Sequence, residues 1–144
     1  MTLMGLLKIL KLMKTKQTFK VAIALPPVPA SRPRVSRFGT YYGKNYAIWK
    51  NKADALLRKE KFPSTNLPLQ VHIEQVCKLP KTTKRTYPIG DVDNHAKGVL
   101  DAITRSDFGW EDDAQIIELN VTKRFAHADE EARSIVKWKV IQNL

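Results

Sequence analysis

The sequence predicts an α+β fold in which two helices pack on one mixed β-sheet, in the order βαβαββ. Apolar residues alternate with polar ones in four short segments, they recur at helical spacing in two longer segments, and turn-forming residues separate these segments. A chain of 144 residues suits one domain with a single core. Residues 1–17 are expected to be an N-terminal extension, helical or disordered, and residues 18–144 the domain.

The first half of the domain is predicted to contain a strand, a loop and a helix. Residues 18–25 form the strand, which the prolines that follow end because proline cannot donate to a sheet ladder. Residues 31–44 are predicted to be a basic loop. Residues 45–61 are predicted to be a helix because their apolar members recur near 3.6 spacing: Tyr46, Trp49, Ala53, Leu56 and Leu57.

The second half is predicted to contain a strand, a helix and two more strands. Residues 69–79 alternate as a half-buried strand does. The helix is expected to take Asp93 or Asn94 as its N-cap and to end near Arg105. Its buried residues are expected to be Ala96, Val99, Leu100 and Ile103. The last strands are residues 114–125, with Ile117, Leu119 and Val121 on one face, and residues 133–141, with Val136, Trp138 and Val140 alternating.

Charge is distributed unevenly along the chain. The net charge is +11, and the first 90 residues contain 18 Lys and Arg against 3 Asp and Glu, whereas the remainder contains 7 against 11. Such a basic body favours a polyanionic partner such as nucleic acid. A solvated basic surface without a partner is the simpler alternative.

Several other classes of protein are disfavoured. The single cysteine, Cys77, allows no internal disulfide and no Cys-based zinc site, and it is expected to be a small buried hydrophobe in a reducing cytoplasm. The apolar residues among the first 17 make a poor signal peptide and are too few to span a bilayer. An amphipathic helix on a membrane surface is the alternative for this segment. No membrane partner and no small-molecule cofactor are expected.

The residues that predict chemistry lie in two acidic segments, Asp91-Val92-Asp93-Asn94 and Trp110-Glu111-Asp112-Asp113. Asp91 and Asp93 are two positions apart, so their side chains point to the same side of an extended backbone. Asp113 joins them only if the following strand begins at the right end of the sheet. Three carboxylates that meet would repel one another without a cation, which predicts a Mg²⁺ site.

Taken singly, these residues have simpler explanations. Asp93 is more often a helix cap than a ligand, and Asp112 with Asp113 is more often a solvated turn. Lys97, one helical turn past Asp93, could pair with Asp101. His95 is interpreted as a surface residue, or as one that supports the site without binding metal. Taken together and with the basic body, they favour metal-dependent chemistry on nucleic acid, with Lys97 at the scissile phosphate.

These motifs resemble those of the RusA family of Holliday junction resolvases, found in bacteria and their phages. The family's D-x-D-N pattern, its lysine and its D-A-(I/L) stand here as residues 91–94, Lys97 and residues 101–103, and its W-x-D-D-A/S-Q stands as residues 110–115. The Pro- and Arg-rich turn after the first strand and the lysine near the end of the penultimate strand also match, so the resemblance covers roughly residues 18–142. Gly90 stands where relatives often have proline or a basic residue, and His95 where they commonly have an apolar one.

The resemblance implies a RusA-like fold and a role for each matching residue. Asp91, Asp93 and Asp113 would be the metal-binding catalytic carboxylates, and Lys97 the catalytic lysine. DNA would be contacted by Arg32, Arg34, Arg37, Lys84, Arg85 and Lys123. The resemblance also implies Mg²⁺, or Mn²⁺ in its place, and a cytoplasmic homodimer that puts two active sites on opposed strands of four-way junction DNA.

The expected function is therefore that of a Mg²⁺-dependent, structure-selective endodeoxyribonuclease that resolves Holliday junctions by paired symmetric nicks in recombination and repair. One alternative is a metal nuclease of broader branch or flap specificity. Another is a non-catalytic basic DNA-binding module whose carboxylates are only caps and turn residues. The clustered carboxylates favour cleavage, because negative charge near DNA gains a pure binder nothing.

Overall fold

A computed structural model describes residues 2–6, 18–31, 34–37, 39–41, 43–106 and 109–141. The elements in chain order are β1 (Thr18–Ile23), β2 (Arg34–Ser36), β3 (Gly39–Tyr41), α1 (Lys44–Leu57), β4 (Leu69–Cys77), α2 (Val92–Arg105), a 3₁₀ turn (Asp113–Gln115), β5 (Ile116–Phe125) and β6 (Arg133–Val140). Residues 3–6 are also helical. Within the described ranges, no helix has the length and apolar content needed to cross a membrane.

Four strands form one mixed sheet in the order β1-β6-β4-β5. β6 is antiparallel to both β1 and β4, whereas β4 and β5 are parallel. Parallel neighbours need a crossover connection, and α2 supplies it. The N-terminus of α2 therefore lies near the end of the sheet where β4 and β5 finish. The predicted α+β fold with a mixed sheet is confirmed.

The core lies between the sheet and the two helices. Leu69, Val71 and Ile73 of β4 are fully buried, and they join residues from both helices in one apolar cluster. Trp110 and Trp138 pack edge to face in this cluster, with ring centres 5.7 Å apart. Apolar surface removed from water in this way contributes about 25 cal/mol per Å², so this cluster is the main source of stability. Cys77 is buried as predicted, and burial raises the pKa of its thiol.

The predicted element order is incomplete. β2 and β3 form a small antiparallel hairpin within residues 31–44, where a loop was expected, with Arg34 paired to Tyr41 and Ser36 to Gly39. Each strand has only three residues, which is too short to show the alternation that marks a strand in sequence. The count of two helices also omits the helical residues 3–6 and the 3₁₀ turn.

Some local predictions about α2 were wrong, and β5 begins two residues later than predicted. The N-cap of α2 is Asp91, whose backbone is extended, so Asp93 and Asn94 lie in its first turn. His95 is buried rather than at the surface, and Leu100 is only half-buried. Register with β4 shifts near the start of β5, and the edge position of β5 in the sheet leaves Ile117 49% and Leu119 43% exposed.

Candidate active site

Asp91 and Asp93 lie exposed at the N-terminus of α2. Asp91 occupies the N-cap position, where an aspartate usually accepts a hydrogen bond from a backbone N–H of the first turn. Its side chain makes no such bond. Neither carboxylate has a hydrogen-bond or ion-pair partner within the described part of the chain. Both are therefore available to a ligand, and carboxylate oxygens suit a hard divalent cation.

Lys123 of β5 binds the turn that leads into Asp91. Its Nζ donates to the carbonyl oxygens of Pro88, at 2.8 Å, and of Gly90, at 2.5 Å. The same ammonium lies 5.7 Å from the centre of the Tyr87 ring, a cation–π distance. Lys123 was predicted to contact DNA, and that contact stays a prediction, but the structure gives its amine a role in positioning the turn.

His95 binds the carbonyl of Ile89, which lies between Pro88 and Gly90 in the sequence. The ring is 1% exposed, and its Nε2 lies 3.0 Å from the carbonyl oxygen of Ile89. A carbonyl only accepts, so Nε2 carries the proton, and Nδ1 accepts from the side-chain amide of Gln75 at 3.2 Å. Burial is the main cause that lowers the pKa of His95, which favours this neutral form. The signal for this role was present in the sequence, because His95 is four residues before the buried Val99.

Gly90 is required by this packing. Its φ is +91°, a conformation that residues with a side chain rarely adopt. A Cβ at this position would lie 2.8 Å from Cγ of Pro29 and 3.0 Å from Nε2 of His95. A side chain at position 90 would therefore collide with both Pro29 and His95.

Asp113 lies at the other end of α2. Its Oδ1 accepts from the Thr104 hydroxyl at 2.5 Å and from Nε1 of the buried Trp110 at 3.2 Å. Thr104 follows Asp91 by 13 residues on the same helix, a distance of about 20 Å along the axis. The three predicted carboxylates therefore do not meet within one chain. Among the described residues, no group of three His, Cys, Asp or Glu side chains could hold a metal ion.

The separation has a topological cause. Asp113 directly precedes β5, which begins beside Leu69 at the start of β4. Because β4 and β5 are parallel, β5 begins at the end of the sheet opposite the N-terminus of α2. The condition for convergence within one chain is thus not met.

The segment around Asp113 is also stabilised by hydrogen bonds of its own. Asp112 caps the 3₁₀ turn by accepting from the N–H of Ala114 at 2.9 Å, and the side chain of Gln115 completes a capping box. The Gln115 amide also donates to the carbonyls of Thr65 and Leu67. Capping thus accounts for Asp112, whereas nothing in the turn requires the second oxygen of Asp113.

Lys97 is exposed and lies one turn beyond Asp93. Its Nζ is 3.6 Å from a carboxylate oxygen of Asp101, and the Lys97 side chain remains 68% exposed. The pairing anticipated as the simpler explanation is therefore present. It is long and solvated, so it leaves the ammonium accessible to a phosphate.

Three of the remaining predicted DNA contacts are exposed in loops or turns. Lys84 and Arg85 are exposed in the loop between β4 and α2, and Arg37 is exposed in the turn between β2 and β3. For Arg34 the structure describes only the backbone, and Arg32 lies outside the described residues.

Known proteins are similar to this chain over most of its length. The family model for Endodeoxyribonuclease RusA matches residues 24–137. Crossover junction endodeoxyribonuclease RusA of Shigella sonnei is 25% identical over 107 residues, which is 74% of this chain and 82% of that protein. The protein of the same name from Escherichia coli (strain K12) matches to the same extent. Because the family model spans well over half of the chain and includes both acidic segments, this protein belongs to the RusA endodeoxyribonuclease family.

Proposed function

We propose that this protein is a metal-dependent endodeoxyribonuclease that resolves four-way DNA junctions by paired symmetric nicks in recombination and repair. The observation that carries the proposal is the pair of exposed carboxylates at Asp91 and Asp93, which the fold does not use although Asp91 occupies a capping position. Membership of a family of endodeoxyribonucleases and a net charge of +11 support the same conclusion.

Asp91 and Asp93 would hold the metal, Mg²⁺ or Mn²⁺. Their oxygen donors fit a hard cation, but two carboxylates from one chain are fewer than the three that the sequence predicted. When bound, the ion would activate water and stabilise charge on the phosphate. The chain's own contribution is to position Asp91 through Lys123 and His95, and to offer Lys97 as a cation one turn away.

A homodimer would account for the position of Asp113. Because α2 separates Asp113 from Asp91 in one chain, it can join Asp91 and Asp93 at one metal only from a second protomer. Two such sites related by a two-fold axis would suit two opposed strands of a junction. The basic residues Arg32, Arg34, Arg37, Lys84 and Arg85 would hold the arms through their phosphates, in a cytoplasmic protein.

Two alternatives remain to be separated by experiment. A nuclease of broader specificity would cut flaps and forks as readily as four-way junctions. A non-catalytic module would bind junctions and yield no product. The decisive assay incubates an end-labelled synthetic four-way junction, a fork and a flap with the protein, with and without Mg²⁺. Symmetric nicks confined to the junction and dependent on Mg²⁺ support the proposal, and the absence of any product rejects it.

Variants of the carboxylates sharpen the assay. Asp91→Asn, Asp93→Asn and Asp113→Asn should each abolish cleavage while junction binding survives or tightens, since each removes a negative charge near phosphate. A mixture of Asp91→Asn and Asp113→Asn protomers then tests the dimer. In mixed dimers, a site shared between protomers leaves one intact centre and restores single nicks, whereas a site within one chain restores nothing.

A further inference from the structure

A cleft opens at the end of the sheet where the parallel strands β4 and β5 finish. Its lining includes Cys77 and Phe125, the last residues of these two strands. Its volume is about 400 Å³, within the usual range for small-ligand sites. In open α/β sheets, ligands bind in the crevice outside the carboxyl ends of the parallel strands. The cleft lies at the corresponding end of the parallel pair here, and it is large enough for a small ligand.

The walls of the cleft are rigid and mainly apolar. One wall is residues 26–29, which include three prolines, and the other is the loop before α2, with Pro80, Pro88 and Ile89. Proline restricts the backbone, so these walls lose little freedom when a ligand binds. Tyr87 adds an aromatic ring to the lining and is 60% exposed. Such walls suit the flat face of an aromatic group better than a hydrated ion.

The polar groups of the cleft are few and carry no negative charge. Asn45 and Thr83 can donate and accept hydrogen bonds. Lys78 and Arg85 bring two positive charges, and no acidic side chain is part of the described lining. An occupant with an apolar face, a polar edge and adjoining negative charge therefore matches the cleft.

The cleft shares a turn of the chain with the candidate active site. Pro88 and Ile89 line it and lead directly through Gly90 into Asp91. The carbonyls of this turn are held by Lys123 and His95, as described above. A ligand in the cleft is thus held by the same fixed turn that positions the first carboxylate.

We propose that the cleft receives one nucleobase, unstacked from the DNA strand that is cleaved. The inference rests on the proposed nuclease function. The base would stack on Tyr87 and the proline wall, and its flanking phosphates would meet Lys78 and Arg85. A stacked duplex does not fit into a space of this size, so the base must leave its stack, which costs least where pairing is already disturbed. The site would therefore favour a branch point over linear duplex and would set the register of the scissile phosphate.

A scan of the DNA tests this directly. Four-way junctions are made with a single abasic nucleotide at each position around the cut site, and their affinities are measured without divalent metal so that no cleavage occurs. Removal of the seated base should weaken binding by roughly 5- to 150-fold, the range for one base stacked on an aromatic side chain. Abasic nucleotides at other positions should leave affinity unchanged or raise it.

Variants of the protein assign the effect to the cleft. Tyr87→Ala should erase the penalty at the sensitive nucleotide, whereas Tyr87→Phe, which keeps the ring, should retain it. Ile48→Ala is the matched control, since Ile48 is an exposed apolar residue of α1 that does not line the cleft. A scan without a sensitive position, or a penalty that survives Tyr87→Ala, would overturn the inference.

Different results would reject the proposed nuclease function and the proposed base-binding cleft. If the wild-type protein neither binds nor cuts the intact junction, the nuclease function itself fails. If it cuts the intact junction and the abasic scan is flat, the function stands and the cleft does not hold a base. Displacement of bound junction by an apolar peptide, together with a flat scan, would assign the cleft to a protein partner instead.

Discussion

Nζ of Lys123 lies 2.5 Å from the carbonyl oxygen of Gly90, the residue immediately before Asp91. The C-terminal part of β5, a partly buried edge strand, thereby fixes the backbone from which the first candidate carboxylate projects. A hydrogen bond from a charged donor contributes more than a neutral one, about 1.5–3 kcal/mol. The position of Asp91 thus depends on a side chain 32 residues away in sequence, on the neighbouring strand.

Replacement of Lys123 by methionine should uncouple cleavage from binding. Lys123→Met keeps an unbranched apolar stem but removes the ammonium that bonds the turn, so stability should fall by about 1–3 kcal/mol. The single-turnover nicking rate should fall at least several-fold more than junction affinity. Lys137→Met is the control, because Lys137 is exposed on β6 and its loss changes the net charge equally. A larger loss of junction affinity in Lys123→Met than in Lys137→Met, with the nicking rate unchanged, would return Lys123 to a simple DNA contact.

Gly90 should not tolerate a side chain. Gly90→Ala combines a positive φ with a Cβ only 2.8 Å from Pro29, so the free energy of unfolding should fall by about 1–3 kcal/mol. Gly98→Ala is the matched control, since a Cβ there meets its nearest neighbour, Tyr46, at 3.4 Å. Alanine is a better helix former than glycine, so this change should be neutral or stabilising by up to about 1 kcal/mol. Urea unfolding of both variants gives the comparison, and a tolerant Gly90 would contradict the described turn.

The sequence predicted the sheet and both long helices because each is marked by its own periodicity. It also predicted Asp91, Asp93 and Asp113 as metal ligands by their chemistry, and that role stays a prediction. It could not predict that Asp113 lies far from the other two, since that depends on β5 running parallel to β4, and strand direction leaves no trace in local pattern. The role of Lys123 in positioning the turn was missed because its partners are backbone carbonyls, which carry no side-chain signature, whereas His95 was anticipated only in general terms, as a residue that supports the site.

The contribution of Glu130 to stability should depend on pH. Hydrogen bonds from Arg124, at 2.6 and 2.7 Å, are the main cause that lowers the pKa of Glu130, followed by a bond from the backbone N–H of His127. A carboxyl whose pKa is lowered in the folded state stabilises that state at pH values above its pKa in the unfolded state, which is about 4.3. This stabilisation is lost as the pH falls below that unfolded-state pKa.

Glu130→Gln tests this dependence. The variant should be less stable than the wild type at pH 7, and the difference should shrink as urea unfolding is repeated towards pH 3. Glu131→Gln is the control, since the Glu131 carboxylate forms no ion pair in the described part of the chain. A difference between Glu130→Gln and wild type that stays constant with pH would show that packing rather than charge makes Glu130 stabilising.

Lys97 offers a direct separation of catalysis from stability. Its ion pair with Asp101 is exposed, so Lys97→Ala should reduce the free energy of unfolding by about 0.5 kcal/mol at most. If Lys97 serves the scissile phosphate, the nicking rate at saturating protein should fall by about 10²-fold or more, since one positioned donor to a developing charge contributes on that scale. Asp101→Ala breaks the same pair and leaves the ammonium in place, so it should retain the rate. A parallel loss of rate in both variants would mean that Lys97 acts only through the pair, and a near-wild-type rate in Lys97→Ala would remove it from the chemistry.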